Sequence, residues 1–279
     1  MSTEAAAMRA TPTALQGIDA IRLEREGAVA IVALQGAQLL SWVPRGGRER
    51  LFLSQRARHG AGSAIRGGMP VIFPQFSERG PLQRHGFARG VDWRFDGIDG
   101  DGASFSLGDG DATTRWPHRF VARMRFAFDH ARLAATFTVE NTGDTAFAFT
   151  AALHTYLRVD DPAGVTLEGL QGCDYEDSAA GGTLHRQHDF AVGFTGEIDR
   201  IYGDVVAPLR LVDGERTVPI EQHGFADVVV WNPGARLAAG IPDLAPDDHQ
   251  RFACVEAAQV LQAVVLAPQE MWSGTQLLG

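Results

Sequence analysis

Residues 147–159 read FAFTAALHTYLRV, and the alternation within this stretch decides the fold class. Successive side chains of a β-strand point to opposite faces, so every second residue shares a face. One face carries large apolar side chains, while the other carries small ones that lead to His154 and Tyr156. Such a strand packs one face on a core and forms the floor of a cleft with the other. For His154 a structural and a catalytic role both stay open.

The same period-two pattern recurs on both sides of this stretch. Residues 120–128, FVARMRFAF, alternate apolar and polar positions, and glycine-rich turns separate further apolar runs. No amphipathic helix longer than two turns, internal repeat or linker interrupts them. We therefore predict one all-β domain over residues 1–279, with residues 1–15 as a flexible N-terminal extension. The other predicted strands are 28–34, 37–43, 133–140, 165–170, 209–212, 218–221, 227–232, 252–257, 262–267 and 276–278, the first two forming a hairpin.

Composition narrows the class of protein. All 25 basic residues are arginine, which excludes a catalytic Schiff-base lysine and a P-loop lysine. Two cysteines, Cys173 and Cys254, are too few for a disulfide framework, and we expect both to be free thiols. The N-terminus lacks the apolar region of a signal peptide, and no apolar run approaches the roughly 18 residues of a membrane span. We expect a cytoplasmic monomer that does not bind membranes.

Charge is distributed unevenly along the chain. Residues 45–94 carry ten arginines against three acidic residues, a local net of +7, while the whole chain carries −9 and the remainder therefore −16. An acidic protein of this kind is a poor binder of nucleic acid. Within the basic region, residues 63–94 combine arginines with His85, glycines and prolines that favour shaped turns. An arginine-rich surface loop is one interpretation; we favour a rim that binds a small anion.

A second candidate lies in residues 252–257, FACVEA, where Glu256 is embedded in an apolar strand. A buried carboxylate must be paired, hydrogen-bonded or raised in pKa. A structural ion pair and a functional carboxylate are the two alternatives at this position.

Six motifs, in this order and spacing, resemble those of the hexose-6-phosphate mutarotases, the glucose-6-phosphate 1-epimerase branch of the aldose 1-epimerase superfamily. The resemblance runs from about residue 28 to the C-terminus and implies a large antiparallel β-sandwich, the galactose-mutarotase-like supersandwich. The motifs are IRGGMPVIFPQF (65–76), HGFARGVDW (85–93), LHTYLRV (153–159), EIDRIY (197–202), VVWNPG (229–234) and CVEAA (254–258).

The resemblance also implies roles for particular residues. His154 corresponds to the family's general acid and Glu256 to its general base. Arg66, His85, Arg89 and Asp199 correspond to substrate-binding residues, with Asp199 on the sugar hydroxyls. The family often has glutamine directly before the HGFAR histidine. Here Arg84 holds that position, where it either adds a phosphate contact or points away. Catalysis of this kind needs no cofactor and no metal.

Three alternatives remain open at this point. The chain could act on free sugars, as other aldose 1-epimerases do, or it could be a non-catalytic carbohydrate-binding β-sandwich. A metal-dependent cupin-like enzyme is the third, because His185 and His188 form an H-x-x-H pair, although no partner carboxylate stands out at ligand spacing. The arginine block favours an enzyme that interconverts the α and β anomers of a hexose 6-phosphate.

Overall fold

A computed structural model describes residues 7–60 and 62–279, and these residues form β-strands through most of their length. The first strands in chain order are β1 (Arg9–Leu15), β2 (Ile18–Arg25), β3 (Ala28–Ala33), β4 (Leu39–Val43), β5 (Val71–Ile72), β6 (Arg94–Asp99), β7 (Gly102–Gly108), β8 (Phe120–Phe128), β9 (Leu133–Asn141), β10 (Phe147–Leu153) and β11 (Tyr156–Arg158). They are followed by β12 (Val165–Glu168), β13 (Asp174–Asp177), β14 (Thr183–Arg186), β15 (Ala191–Gly193), β16 (Ile198–Tyr202), β17 (Leu209–Asp213), β18 (Arg216–His223), β19 (Asp227–Asn232), β20 (Phe252–Leu266) and β21 (Met271–Leu278). A short helix, α1, spans Gly234–Ala238, and single 3₁₀ turns lie at Ala88–Gly90, Asp111–Thr113, Pro162–Gly164, Ser178–Ala180 and Asp248–Gln250.

The strands make three antiparallel sheets. The first has the order β1-β2-β3-β4, and the second the order β14-β13-β16-β19-β20-β10-β5 with β11 paired to β20. The third has the order β15-β12-β17-β18-β21-β9-β8-β7-β6. The largest apolar cluster takes residues from all three sheets, among them Leu23 of β2, Phe137 of β9 and Val255 of β20. The predicted all-β antiparallel fold is confirmed, while its organisation as one domain stays a prediction.

Most predicted strands are present, although the ends of most differ from the predicted ones and two stretches are divided into strands differently. The hairpin β3–β4 is confirmed, and β8 and β19 have the predicted bounds. Residues 147–159 are not one strand, because β10 ends at Leu153 and β11 begins at Tyr156. Conversely, 252–257 and 262–267 belong to a single strand, β20. The register of β20 against β10 shifts in the middle of the strand. In this bulge the Asp227 carboxylate accepts hydrogen bonds from the amides of Val260 and Leu261 at 2.7 and 2.8 Å.

The flexible extension predicted over residues 1–15 is wrong for residues 9–15. These residues form β1, which pairs with β2 from Arg9 opposite Glu24 to Leu15 opposite Ile18. The strand lies at a sheet edge and none of its side chains is fully buried, so its sequence lacks the alternation that marks a half-buried strand. Residues 1–6 lie outside the described part of the chain. Over the described residues, no helix is long and apolar enough to cross a membrane.

Candidate functional site

A cavity of about 370 Å³ opens beside the second sheet, and it collects every site residue that the sequence indicated. The contributing segments are far apart in the chain, since they include the loop of residues 63–94, the β10–β11 junction, β16 and β20. The seven predicted site residues, all of which line the cavity, are Arg66, Arg84, His85, Arg89, His154, Asp199 and Glu256.

The break between β10 and β11 is where His154 enters the cavity. Thr155 leaves the regular strand and its hydroxyl donates to Gln276 Oε1 at 2.5 Å, while its carbonyl accepts from the Val255 amide at 3.1 Å. The His154 amide donates to the carbonyl of Pro70 at 2.9 Å. These hydrogen bonds fix the backbone between β10 and β11. They therefore also fix the point from which the imidazole of His154 extends into the cavity.

Glu256 lies directly opposite this imidazole. Its Oε1 is 3.2 Å from His154 Nδ1, and the two side chains are only 1% and 10% exposed. The approach is not a hydrogen bond: within the described residues, His154 Nδ1 and Glu256 Oε2 have no hydrogen-bond partner. Buried polar atoms are almost always satisfied, and both residues line one cavity, so the two unpartnered atoms point to a ligand.

Burial sets the protonation preferences of this pair. Desolvation, and then the nearby charge of Asp199, raises the pKa of Glu256 well above its ordinary value. Desolvation, followed by the positive charges of Arg89 and Arg66, lowers the pKa of His154 well below its ordinary value. Both shifts disfavour the charged forms, and the ligand-free cavity therefore favours a protonated carboxyl beside a neutral imidazole.

His85 also lines the cavity, where it is held as a neutral donor. Its Nδ1 accepts from the Ser77 amide at 3.2 Å, which leaves the proton of the neutral ring on Nε2. Burial, and then the charge of Arg89, lowers the pKa of His85 well below its ordinary value. The ring lies edge-on to His154, with centroids 5.9 Å apart. Gly86 makes this turn possible, since a Cβ there would lie 2.2 Å from the carbonyl oxygen of Phe73.

Four arginines reach the cavity, and they are not equivalent. Arg66 pairs with Asp243, and Arg79 pairs with Glu176. Among the described residues, no carboxylate forms an ion pair with Arg84 or with Arg89, whose Nη2 donates only to the carbonyl of Arg84 at 3.1 Å. Burial lowers the pKa of Arg89 to about 10. A half-buried guanidinium without a counter-charge is a ready partner for an anion.

Asp199 provides the second carboxylate of the cavity. It lies on β16, where it pairs in register with Trp231 of β19. Burial raises the pKa of Asp199 to about 6, although the positive charge of Arg84 opposes the shift. Near neutral pH, such a carboxyl group can accept a hydrogen bond from a sugar hydroxyl when ionised and donate one when protonated.

Several cavity residues gave no clear sign in the sequence. Leu237 and Ile241 come from α1 and the loop after it, and they form an apolar wall of the cavity. Trp231 packs edge-on against His154, with centroids 5.7 Å apart. Trp231 belongs to the VVWNPG motif, but the sequence alone does not distinguish a cavity-lining tryptophan from an aromatic residue of the core. Phe76, Ser77, Arg79, Ser178 and Val229 complete the lining.

The other sequence candidates lie elsewhere. His185 is an exposed residue of edge strand β14 and contacts the hydroxyl of Thr183 at 2.8 Å. Over residues 7–60 and 62–279, no group of three or more His, Cys, Asp and Glu side chains could hold a metal ion. Cys173 and Cys254 are free thiols, as predicted.

Comparison with known proteins places the chain in a family. The aldose 1-epimerase family profile matches residues 19–279. A relative from Cenchrus ciliaris, provisionally named a glucose-6-phosphate 1-epimerase, is 33% identical over 95% of this chain and 84% of its own. A relative of the same provisional name from Salmonella typhimurium is 35% identical over 87% of this chain and 83% of its own. The solved structure of YeaD from Salmonella typhimurium, provisionally a mutarotase, matches with a TM-score of 0.87 and 30% identity over 96% of this chain and 92% of that one.

A buried imidazole and a buried carboxyl side by side in a polar cavity of a large antiparallel β-sandwich suit a sugar epimerase. The chain belongs to the aldose 1-epimerase family, whose members are isomerases. The fold and the family expected from the sequence motifs are confirmed.

Proposed function

We propose that the protein interconverts the α and β anomers of a hexose 6-phosphate, with glucose 6-phosphate as the first candidate. The observation that carries this proposal is the composition of one cavity. It holds the facing pair of His154 and Glu256 together with Arg84 and Arg89, which have no carboxylate partner among the described residues. The pair suits proton transfer, and the arginines suit a phosphate.

The reaction requires two proton transfers and no redox step. A base removes the proton of the anomeric hydroxyl while an acid protonates the ring oxygen, and the C1–O5 bond breaks to give the open aldehyde. Rotation about C1–C2 presents the other face of the aldehyde to the O5 hydroxyl. Reclosure then reverses both proton transfers. In our proposal His154 acts as the acid and Glu256 as the base in ring opening, each typically contributing about 10²–10⁴-fold.

The substrate's own charge would prepare His154 for its role as the acid. In the free site burial, and then the charges of Arg89 and Arg66, lower the pKa of His154, while burial raises that of Glu256. A phosphate carries close to two negative charges at neutral pH and would offset the positive field of Arg89 and Arg66. The pKa of His154 would then rise toward the range in which the imidazole is a useful acid.

Charge favours a phosphorylated sugar over a free one. Of the four arginines that line the cavity, Arg84 and Arg89 form no ion pair with a carboxylate of the described residues, although the whole chain carries −9. Neutral hexoses offer such a site only hydroxyl groups. The two curated relatives described above carry names that refer to glucose 6-phosphate, which supports the same substrate class.

The remaining sites have simple roles in this proposal. Asp199 and the Nε2 proton of His85 would bind ring hydroxyls, and the apolar wall would face the carbon skeleton. Arg66, Arg84 and Arg89 would bind the phosphate, while the chemistry requires no cofactor. All seven residues come from one chain, so we propose a monomer. Two free thiols fit the reducing cytoplasm.

Magnetisation-exchange NMR tests the proposal directly. Glucose 6-phosphate and glucose are each incubated with the protein, and the exchange rate between the two C1 anomer resonances is compared with the spontaneous rate. We expect strong acceleration for glucose 6-phosphate and little for glucose. Equal acceleration would identify a free-sugar epimerase, and binding without acceleration would identify a carbohydrate-binding protein.

A further inference from the structure

Asp243 lies outside every motif that identified the site, yet its carboxylate contacts Arg66, which lines the cavity. Its Oδ1 accepts a hydrogen bond from Arg66 Nε at 3.2 Å, and the two side chains are 12% and 23% exposed. Arg66 Nη1 in turn donates to the hydroxyl of Tyr156 at 3.0 Å. Arg66 is therefore fixed at two of its three nitrogens, and Nη2 is left for a ligand.

Tyr156 continues the same chain of contacts to the catalytic imidazole. Its ring stacks on His154 with centroids 4.8 Å apart and an interplanar angle of 9°. Trp231 packs edge-on against both rings, at 5.7 Å from His154 and 6.0 Å from Tyr156. Tyr156 is fully buried, so a tilt of its ring cannot be absorbed by solvent and must move its neighbours.

The segment that carries Asp243 is itself firmly held. The amide group of Asn232 closes the base of the segment, because it donates to the carbonyls of His249 and Phe252 and accepts from the Gly234 amide. Asp248 accepts from the Ser54 hydroxyl at 2.9 Å and from the Ala245 amide at 2.8 Å. The Asp243 carboxylate thus projects from a loop that is anchored on both sides.

We propose that Asp243 and Tyr156 are positioning residues, and that the contacts Asp243–Arg66–Tyr156–His154 form a relay that fixes the catalytic imidazole. The relay also explains why Arg66 differs from Arg84 and Arg89. Its charge is balanced by Asp243, so its first task is to orient the aromatic stack. The kinetic form of this inference rests on the proposed function, since it is measured as anomer exchange.

A double-mutant cycle tests the relay. Asp243→Asn removes the counter-charge with little change of shape, and Tyr156→Phe removes the hydroxyl while the stacked ring remains. Each should lower kcat about 10-fold with a smaller change in KM, because small displacements of catalytic groups are costly. Since both variants break one relay, the double variant should lose little more than the more severe single variant. Thermal melts establish that every variant is folded at the assay temperature.

Asp213→Asn is the matched control. Asp213 pairs with Arg216 at a similarly low exposure, 9% and 15%, but neither residue lines the cavity. This variant should keep kcat, and its combination with Tyr156→Phe should be additive. Four results would each overturn the relay. The first two are single variants with kcat within twofold of wild type, and losses that multiply in the double variant. The others are losses confined to KM, and an equal loss in the control.

A second readout separates this inference from the proposed function. In the ¹⁵N-labelled full chain, the imidazole resonances of His154, assigned with His154→Ala, should shift in Asp243→Asn and stay in place in Asp213→Asn. Unchanged His154 resonances would overturn the relay. A wild-type protein that accelerates neither sugar would overturn the proposed function, and the NMR comparison would still decide the relay.

Discussion

His154 Nδ1 and Glu256 Oε1 lie 3.2 Å apart without a hydrogen bond between them, in a protein where most buried polar atoms are satisfied. The β-sheet places the two residues from strands β10–β11 and β20, which are paired neighbours, so the separation is set by the backbone. Both groups are unsatisfied and both face the cavity. We expect such a pair to destabilise the free protein, and a polyhydroxylated ligand would satisfy it by supplying hydroxyl groups.

Replacing Glu256 by glutamine should abolish most of the catalysed exchange. The amide keeps the size of the side chain but cannot take the proton of the anomeric hydroxyl, so we expect a loss of about 100-fold or more. The far-UV circular dichroism should stay that of a β-protein. Glu221→Gln is the control, because Glu221 pairs with Arg132 at an exposed position and should be dispensable. Near-normal exchange in Glu256→Gln would remove Glu256 from the mechanism.

The same substitution should stabilise the fold as pH rises. The pKa of Glu256 is raised in the folded state, so its stabilising contribution is complete below its ordinary pKa of about 4.3 and is lost as pH rises through the folded value. Glutamine does not titrate. The difference in Tm between Glu256→Gln and wild type should therefore grow from acidic to neutral pH. A difference that is constant with pH would contradict a buried, destabilised carboxylate.

Gly86 should be required for the shape of the cavity. Its φ is +68°, and an added Cβ would lie 2.2 Å from the Phe73 carbonyl oxygen. Gly46 has the same φ but no atom within 4 Å of that position. Gly46→Ala therefore measures the backbone penalty alone, about 1 kcal/mol. Gly86→Ala should lower the Tm by several degrees more and should also reduce exchange, because it displaces His85. Equal effects of the two variants would show that the turn tolerates a side chain.

Sequence patterns predicted the sheets where one strand face is buried. The strands Phe120–Phe128 and Asp227–Asn232 have a strong alternation or a continuous apolar run, and their bounds were recovered. Strand Thr183–Arg186 is exposed at every position, so its pairing with Asp174–Asp177 leaves no hydrophobic pattern to read. The break at His154–Thr155 was also missed, because it depends on Gln276, which is distant in sequence.

The residues of the candidate site were also predicted only in part. Charged residues in short motifs, such as Arg89 and Asp199, could be found because their family positions are defined by neighbouring residues. Asp243 could not, since it is one of several acidic residues in a loop, and only the fold brings it to Arg66. The ion pair of Arg66, and the lack of one at Arg84 among the described residues, are likewise properties of the folded chain.

We propose that the cavity selects for the phosphate group of its substrate. This specificity is tested by comparing two substrates in one set of variants. The kcat/KM for anomer exchange is measured with glucose 6-phosphate and with glucose for wild type, Arg84→Ala and Arg89→Ala. Arg94→Ala serves as control, because Arg94 belongs to the same stretch but pairs with Asp96 at the surface. Arg89→Lys is added because an ammonium keeps the charge but lacks the planar fork, so it should rescue only in part.

Each guanidinium–phosphate hydrogen bond is worth roughly 1.5–3 kcal/mol, so losing one should weaken apparent affinity about 10- to 100-fold. We predict that Arg84→Ala and Arg89→Ala each reduce kcat/KM for glucose 6-phosphate by that factor, mainly through a higher KM. Any activity on glucose should stay nearly unchanged. Equal losses on the two sugars would contradict it, because the arginines would then support the fold or the reacting ring rather than a phosphate.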